Sequence, residues 1–169
     1  HESSYFNVYS YSPIQHSGSS LNNKTASSVC VARDGKLWIG TDGGGINVFD
    51  KGKRVAVYKE ETGDLTDNSI QAALCDSEGN LWFGSFMGGV DFYDVKKKSF
   101  HQIFPKDKTG EDVRALYEDA EYVWIGTSNG IYKVRLHDKG IADHYTVENN
   151  LVRCISKDNL NRLWIGTLD

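Results

Sequence analysis

LWIGTDGGGINVFD, residues 37–50, sets a tryptophan in an apolar run, a glycine two places later, and then three glycines in succession. Alone, it suits a phosphate-cradling loop, a strand–turn–strand, or a ligand loop with an aromatic platform. The rest of the chain decides, because the stretch recurs. LWIGT at 37–41 returns as LWFGS at 81–85, VWIGT at 123–127 and LWIGT at 163–167. Trp38, Trp82, Trp124 and Trp164 are all the tryptophans of the chain and stand 44, 42 and 40 residues apart. Gly40, Gly84, Gly126 and Gly166 each follow by two. A repeat of about 42 residues is the mark of a repeat protein.

Within each period the same grammar returns. An acidic turn precedes each tryptophan, beginning at Asp34, Asp76, Asp119 and Asp158. Short Asp/Gly turns of this kind join hairpin strands. After the tryptophan strand comes a second turn (TDGGG, SFMGG, TSNG), an alternating strand (INVFD, VDFYD, IYKVR) and a closing segment (VAVYK, SFHQIF, IADHYT). Upstream of the acidic turn lies SVCVA, IQAAL, VRALY or VRCIS. Each period therefore holds four short strands. EDVRALYEDAEYVW, residues 111–124, has Val113, Leu116, Tyr117 and Ala120 at helical spacing. Its place in the repeat, opposite SIQAALCDSEGNLW, makes it a strand pair instead.

Four strands in about 40–45 residues is the signature of β-propeller blades. Leu37, Trp38 and Ile39 are apolar in succession, so both faces of that strand are expected to be buried, as in a blade between two neighbours. Burying one tryptophan removes about 150–250 Å² from water, an upper bound of roughly 4–6 kcal/mol. The glycine two residues on shares the tryptophan's face and is expected to admit bulk from the adjacent blade. The fold class is thus all-β, a partial propeller of about three and a half antiparallel blades. The expected units are a lone outer strand at 5–13, blades at 28–60, 69–105 and 112–147, and a half blade at 151–169. Rings close with four to eight blades, so the expected neighbours are the rest of a larger propeller or a second copy, by oligomerisation or a swapped strand.

The unit Asp34–Asp50, and again Ile70–Asp94, resembles the two-component regulator propeller repeat. The later units match more loosely: Asn129-Gly130 replaces the double glycine, and Asn161 stands where the second unit has Gly79. The resemblance implies a periplasmic sensor region of a hybrid two-component system histidine kinase. In that family such repeats build large propellers outside the inner membrane, and many sense oligosaccharides. A protein-interaction scaffold, or a carbohydrate-active lyase or hydrolase propeller, are the alternatives.

Composition narrows the function. The net charge is −4, and Lys96-Lys97-Lys98 is the one basic cluster, expected as a solvated hairpin turn; a nucleic-acid surface needs more. No apolar stretch approaches the roughly 20 residues that cross a bilayer. Cys30, Cys75 and Cys154 are widely spaced and embedded in small or apolar runs, so they read as small buried strand residues rather than metal ligands. His16, His101, His137 and His144 lack metal-ligand spacing, no catalytic constellation stands out, and no cofactor or metal is expected. Gly43-Gly44-Gly45 precedes a strand rather than a helix and lacks the Walker lysine, so it reads as a turn.

Function by binding is the better reading. Loops 11–27, 60–69, 105–112 and 147–150, with turns 42–45, 86–89 and 128–130, are expected on one face. Five residues before the turn aspartate stand Gln71, Arg114 and Arg153, each followed by a small residue (Ala72, Ala115, Cys154). The polar residues are expected in the channel mouth and the small ones between blades; for Arg114 and Arg153 the simpler reading is pairing with nearby acids. Phe86 and Met87 are apolar where the other repeats are polar, which makes them candidates for a sugar platform or a subunit contact.

Overall fold

The computed structural model describes residues 9–12, 18–104, 111–148 and 151–168. Its fourteen strands run as consecutive antiparallel meanders. The first sheet holds β1 (Ala26–Val31), β2 (Leu37–Thr41), β3 (Gly45–Asp50) and β4 (Lys53–Tyr58). The second holds β5 (Ile70–Cys75), β6 (Leu81–Ser85), β7 (Val90–Asp94) and β8 (Ser99–Phe104). The third holds β9 (Val113–Asp119), β10 (Tyr122–Thr127), β11 (Gly130–Arg135) and β12 (Ile141–Tyr145), and β13 (Val152–Lys157) pairs with β14 (Leu163–Thr167). Three four-stranded blades and a two-stranded one make this a partial propeller. The segment with helical spacing is β9, as the repeat requires. Of the lone outer strand expected at 5–13, only 9–12 are described; Tyr11 makes a single parallel bridge to Leu21, and the rest lies outside the described residues.

The core lies between blades, and period-2 alternation builds it. Trp38 and Val48 of blade 1 pack on Ile70, Leu81, Phe83 and Tyr93 of blade 2. Trp82, Val90 and Phe92 on the other face of blade 2 pack on Val113, Val123, Ile125 and Val134 of blade 3. Each of these tryptophans points forward to the next blade, while its flanking apolar neighbours point back. The glycine two residues on points forward too. A Cβ at Gly40 would lie 2.5 Å from Ile70 Cγ2, at Gly84 2.5 Å from Val113 Cγ1, and at Gly126 2.6 Å from Val152 Cγ1. The hole left by each glycine thus receives the β-branched residue that opens the next blade's inner strand. Trp164 breaks the pattern, being 58% exposed on β14.

The opening glycine run is the β2–β3 turn. Gly43 and Gly45 have φ of 92° and 70°, which favour glycine, and a Cβ at Gly45 would lie 2.1 Å from the Tyr58 carbonyl oxygen. Lys96–Lys98 form the exposed β7–β8 turn. Cys30 and Cys75 are half-buried, but Cys154 is exposed, which corrects its reading as a buried residue. It lies on β13 of the two-stranded sheet, on a face that no further blade covers among the described residues.

The hairpin turns before the tryptophans differ by one detail. Asp76 N and Asp158 N donate to Asn80 O and Arg162 O, and both carboxylates accept the indole N–H of the tryptophan six residues on, Trp82 and Trp164, at 2.8 Å. Asp34 and Asp119 stand four and five residues before their tryptophans. Asp34 bonds Lys36 instead and Asp119 bonds Lys157, so the indole nitrogens of Trp38 and Trp124 are buried with no hydrogen-bond partner among the described residues. Six residues before Trp38 stands Ala32.

Candidate functional site

All four inner strands bulge at one place. The register skips Ser27 between Ala26 and Ser28, Gln71 between Ile70 and Ala72, Arg114 between Val113 and Ala115, and Arg153 between Val152 and Cys154. A bulge leaves its extra residue unpaired and re-aims the side chain. Ser27, Gln71 and Arg114 thereby line one cavity of ≈ 470 Å³ with Asp42, Ser69 and Phe86. Ala72 and Ala115, one residue on, are buried, as the alternation of small and polar residues predicts.

Hydrogen bonds hold this rim rigid. The Ser27 hydroxyl lies within hydrogen-bond reach of two carbonyl oxygens, Gly40 O at 3.1 Å and Ile70 O, and so links blade 1 to blade 2. Ser69 Oγ donates to Asp42. Asp112, a nearly buried carboxylate, accepts Gln71 Nε2 at 3.0 Å on one oxygen and Arg114 Nε at 2.9 Å on the other. The Arg114 guanidinium is thus ion-paired to Asp112 at 2.8 Å, as its simpler reading expects, and lines the cavity in that state. Phe86 stands at the rim, 46% exposed, with its N–H on Ser69 O.

The loop before each of the first two inner strands is pinned from the third strand. Asn47 of β3 exchanges hydrogen bonds with Asn22 at 3.1 and 2.7 Å. Asp91 of β7, at the same place in its blade, accepts Thr66 N at 2.8 Å and Thr66 Oγ1 at 2.7 Å. Burial pushes the Asp91 carboxyl above its ordinary range, and the Thr66 bonds oppose that. Asp67, next in the loop, accepts the Met87 N–H at 2.8 Å.

Of the five sequence candidates, the fold brings Gln71, Phe86 and Arg114 together. Met87 is 54% exposed and is not among the cavity's lining residues, and exposed Arg153 sits at the bulge of β13, also outside that lining. Sequence reasoning missed Ser27, Asp42 and Asp112. Ser27 was hidden by counting back from Asp34, which is not the counterpart of Asp76. Counting eleven residues back from the tryptophan finds Ser27, Gln71 and Arg153 alike. Asp112 carries no repeat signal. Among the described residues no group of three His, Cys, Asp or Glu side chains could hold a metal ion.

The repeat geometry has known counterparts. Residues 20–43, 64–87 and 146–169 match the two-component regulator propeller family. Each matched segment ends just beyond the tryptophan strand, in blades 1, 2 and the two-stranded blade. The chain belongs to the two-component regulator propeller family. Its third blade, outside those matches, is the one whose turn from Asp119 to Tyr122 is shortened. Among solved structures, the chain is 45% identical to the extracellular domain of a protein described as a hybrid two-component system of B. thetaiotaomicron, with a TM-score of 0.84 over 94% of this chain. This propeller spans only 22% of that domain's chain. A second such domain from that organism is 20% identical with a TM-score of 0.71, over 85% of this chain and 22% of that one. Virginiamycin B lyase from Staphylococcus aureus is 18% identical with a TM-score of 0.66, over 85% and 50% of the two chains, and shares the fold alone. No curated protein matches the chain.

Proposed function

We propose that this chain is part of the extracytoplasmic sensor region of a hybrid two-component histidine kinase, and that its channel-mouth cavity receives a neutral oligosaccharide. The observation that carries the sensor reading is the 45% identity, over 94% of the chain, to an extracellular domain of that class. The cavity's chemistry supports the ligand class. Its rim offers the Ser27 and Ser69 hydroxyls, the Gln71 amide, the Asp42 carboxylate and an ion-paired Arg114 beside a half-exposed Phe86 ring. Hydroxyl-rich rings stack on such a face and hydrogen-bond to such a rim. An anion would meet an arginine already neutralised by Asp112.

Calorimetry against a panel of neutral oligosaccharides tests the ligand. Binding to the wild type that weakens about tenfold or more in Phe86→Ala and in Arg114→Ala, roughly 1.4 kcal/mol each, supports the reading. No heat with any glycan, or equal affinity in both variants, sinks the oligosaccharide and leaves a protein-interaction scaffold. The exposed Trp164, Ile165 and Leu168 are proposed as the surface that meets a further blade or a second copy. Light scattering that finds a strict monomer at high concentration rejects the second copy.

A further inference from the structure

A second cavity, of ≈ 620 Å³, opens between blades 1 and 2 beside the turns that precede Trp38 and Trp82. It is distinct from the rim of bulges; the two share no lining residue. Trp38 and Ala32 both line it. Trp38 is 6% exposed, and its indole Nε1 is buried without a partner among the described residues. A buried donor left unbonded loses its hydration with nothing in return and is rare in native proteins.

The neighbouring blade indicates what is missing. Ala32 and Asp76 occupy identical turns: Ala32 N donates to Lys36 O and Asp76 N to Asn80 O, both at 2.9 Å, and each carbonyl accepts the glycine N–H three residues on at 2.9 Å. The strands beyond match as well, Cys30 facing Trp38 as Leu74 faces Trp82. In blade 2 the Asp76 carboxylate fills the space beside the indole and accepts Trp82 Nε1 at 2.8 Å. In blade 1 a methyl group stands there, and both it and Trp38 belong to the wall of the cavity. The mouth of that cavity carries Arg33, Lys36, Lys96 and Lys98 against Asp34 and Glu78. Asp34 is bonded to Lys36. Its deeper walls are the rings of Tyr58 and Tyr93 with Val48 and Leu81.

We infer that this cleft binds a small organic acid whose carboxylate takes the place that Asp76 fills in the next blade and accepts the Trp38 indole N–H. The carboxylate oxygen would stand about 2.7–3.2 Å from Nε1, the apolar body would lie against the tyrosine rings, and the lysines would favour the anion over its neutral analogue. Trp124 has an unbonded indole too, but its turn is shorter and the Lys133 ammonium sits 5.3 Å from its ring centroid, so it serves as an internal control. This inference stands apart from the oligosaccharide reading of the other cavity.

The test is a ¹H–¹⁵N titration of the indole region with benzoate and with hexanoate up to tens of millimolar. The Trp38 signal is assigned by its loss in Trp38→Phe. Either acid is expected to move the Trp38 indole proton downfield, to leave Trp82 and Trp124 in place, and to do so more weakly at high salt. Benzamide, its neutral partner, is expected to have no such effect. Ala32→Asp supplies the carboxylate from the chain itself, so it should shift Trp38 downfield without ligand and abolish the response to either acid. Lys96→Glu, on an exposed turn where folding is not at stake, should weaken binding several-fold. A Trp38 signal that ignores both acids, that answers benzamide equally, or that still responds in Ala32→Asp overturns the inference.

Discussion

The glycine that follows each tryptophan is a packing device, and Gly84→Ala measures it. An alanine Cβ there would lie 2.5 Å from Val113 Cγ1, 3.0 Å from Val113 Cβ and 3.0 Å from the Val113 carbonyl oxygen. Rotation cannot relieve all three contacts, because one partner is backbone and a β-branched side chain has few χ1 choices. Overpacking of this kind costs about 1–3 kcal/mol. Replacing a strand glycine returns about 0.5–1 kcal/mol, leaving a net loss of about 0.5–2 kcal/mol. Val113→Ala removes two methyl groups from a fully buried side chain and is expected to cost about 2 kcal/mol. The pair should not add. In the double variant the new methyl enters the space the valine vacates, so the cycle should show a coupling of about 1–2 kcal/mol in favour of the pair. Urea unfolding followed by far-UV circular dichroism reads all four proteins. Gly166→Ala is the control, since its Cβ would meet only the Cys154 sulfur of its own exposed hairpin; it should cost at least about 1 kcal/mol less than Gly84→Ala. Additive single effects, or a Gly84→Ala as stable as the wild type, would refute the knob-into-hole reasoning.

Three further outcomes follow from the turns and thiols. Asp76→Ala strips the fully buried Trp82 of its indole acceptor and the amides of Glu78 and Asn80 of theirs; a loss of about 2–4 kcal/mol in urea unfolding is expected, and one below about 0.5 kcal/mol would contradict it. The Trp164 indole N–H, with the Arg162 amide and side chain, holds the half-buried Asp158 carboxyl down at about 2, below its unfolded value of about 3.9. The folded state therefore binds fewer protons between these values, so its stabilisation is complete above about pH 4 and is lost as pH falls through about 2; a carboxyl-carbon NMR midpoint that Trp164→Phe fails to raise would exclude that cause. Burial, with Cys75 adding a smaller push, raises the Cys30 thiol to about 12, so a thiol reagent at pH 8 should label exposed Cys154 rapidly and Cys30 only on unfolding. Equal labelling of the two would be inconsistent with that burial.

Much of the fold was legible because it is written four times. One tryptophan–glycine pair per period sets the strand, its buried face and the forward direction of packing. A local signal such as the helical spacing around Val113 cannot compete with four copies in register. The site was legible only in part. Gln71 and Arg114 stood out by their position in the repeat, and Phe86 by being apolar in a polar turn. Ser27 escaped because the first acidic turn has its aspartate two residues later than Asp76, so that the spacing from aspartate to bulge is not kept in the first blade while the spacing from tryptophan to bulge is. Asp112 escaped because an acid before a strand looks like any other loop acid until Gln71 of one blade and Arg114 of the next both reach it.

Local rules of period, turn chemistry and side-chain alternation act within about ten residues, and they already specify hairpins, blades and which glycines must stay small. Contacts between blades join residues some 40 positions apart, and no local rule reaches across that gap. So it was the tertiary structure that decided which bulge residues share a cavity and that Gln71 of one blade reaches the Asp112 carboxylate, which also pairs with Arg114 of the next. Trp38 and Trp82 look alike along the chain. Six residues before them stand an alanine and an aspartate, and only the structure shows that the aspartate accepts the indole N–H of Trp82 while that of Trp38 is buried with no partner among the described residues.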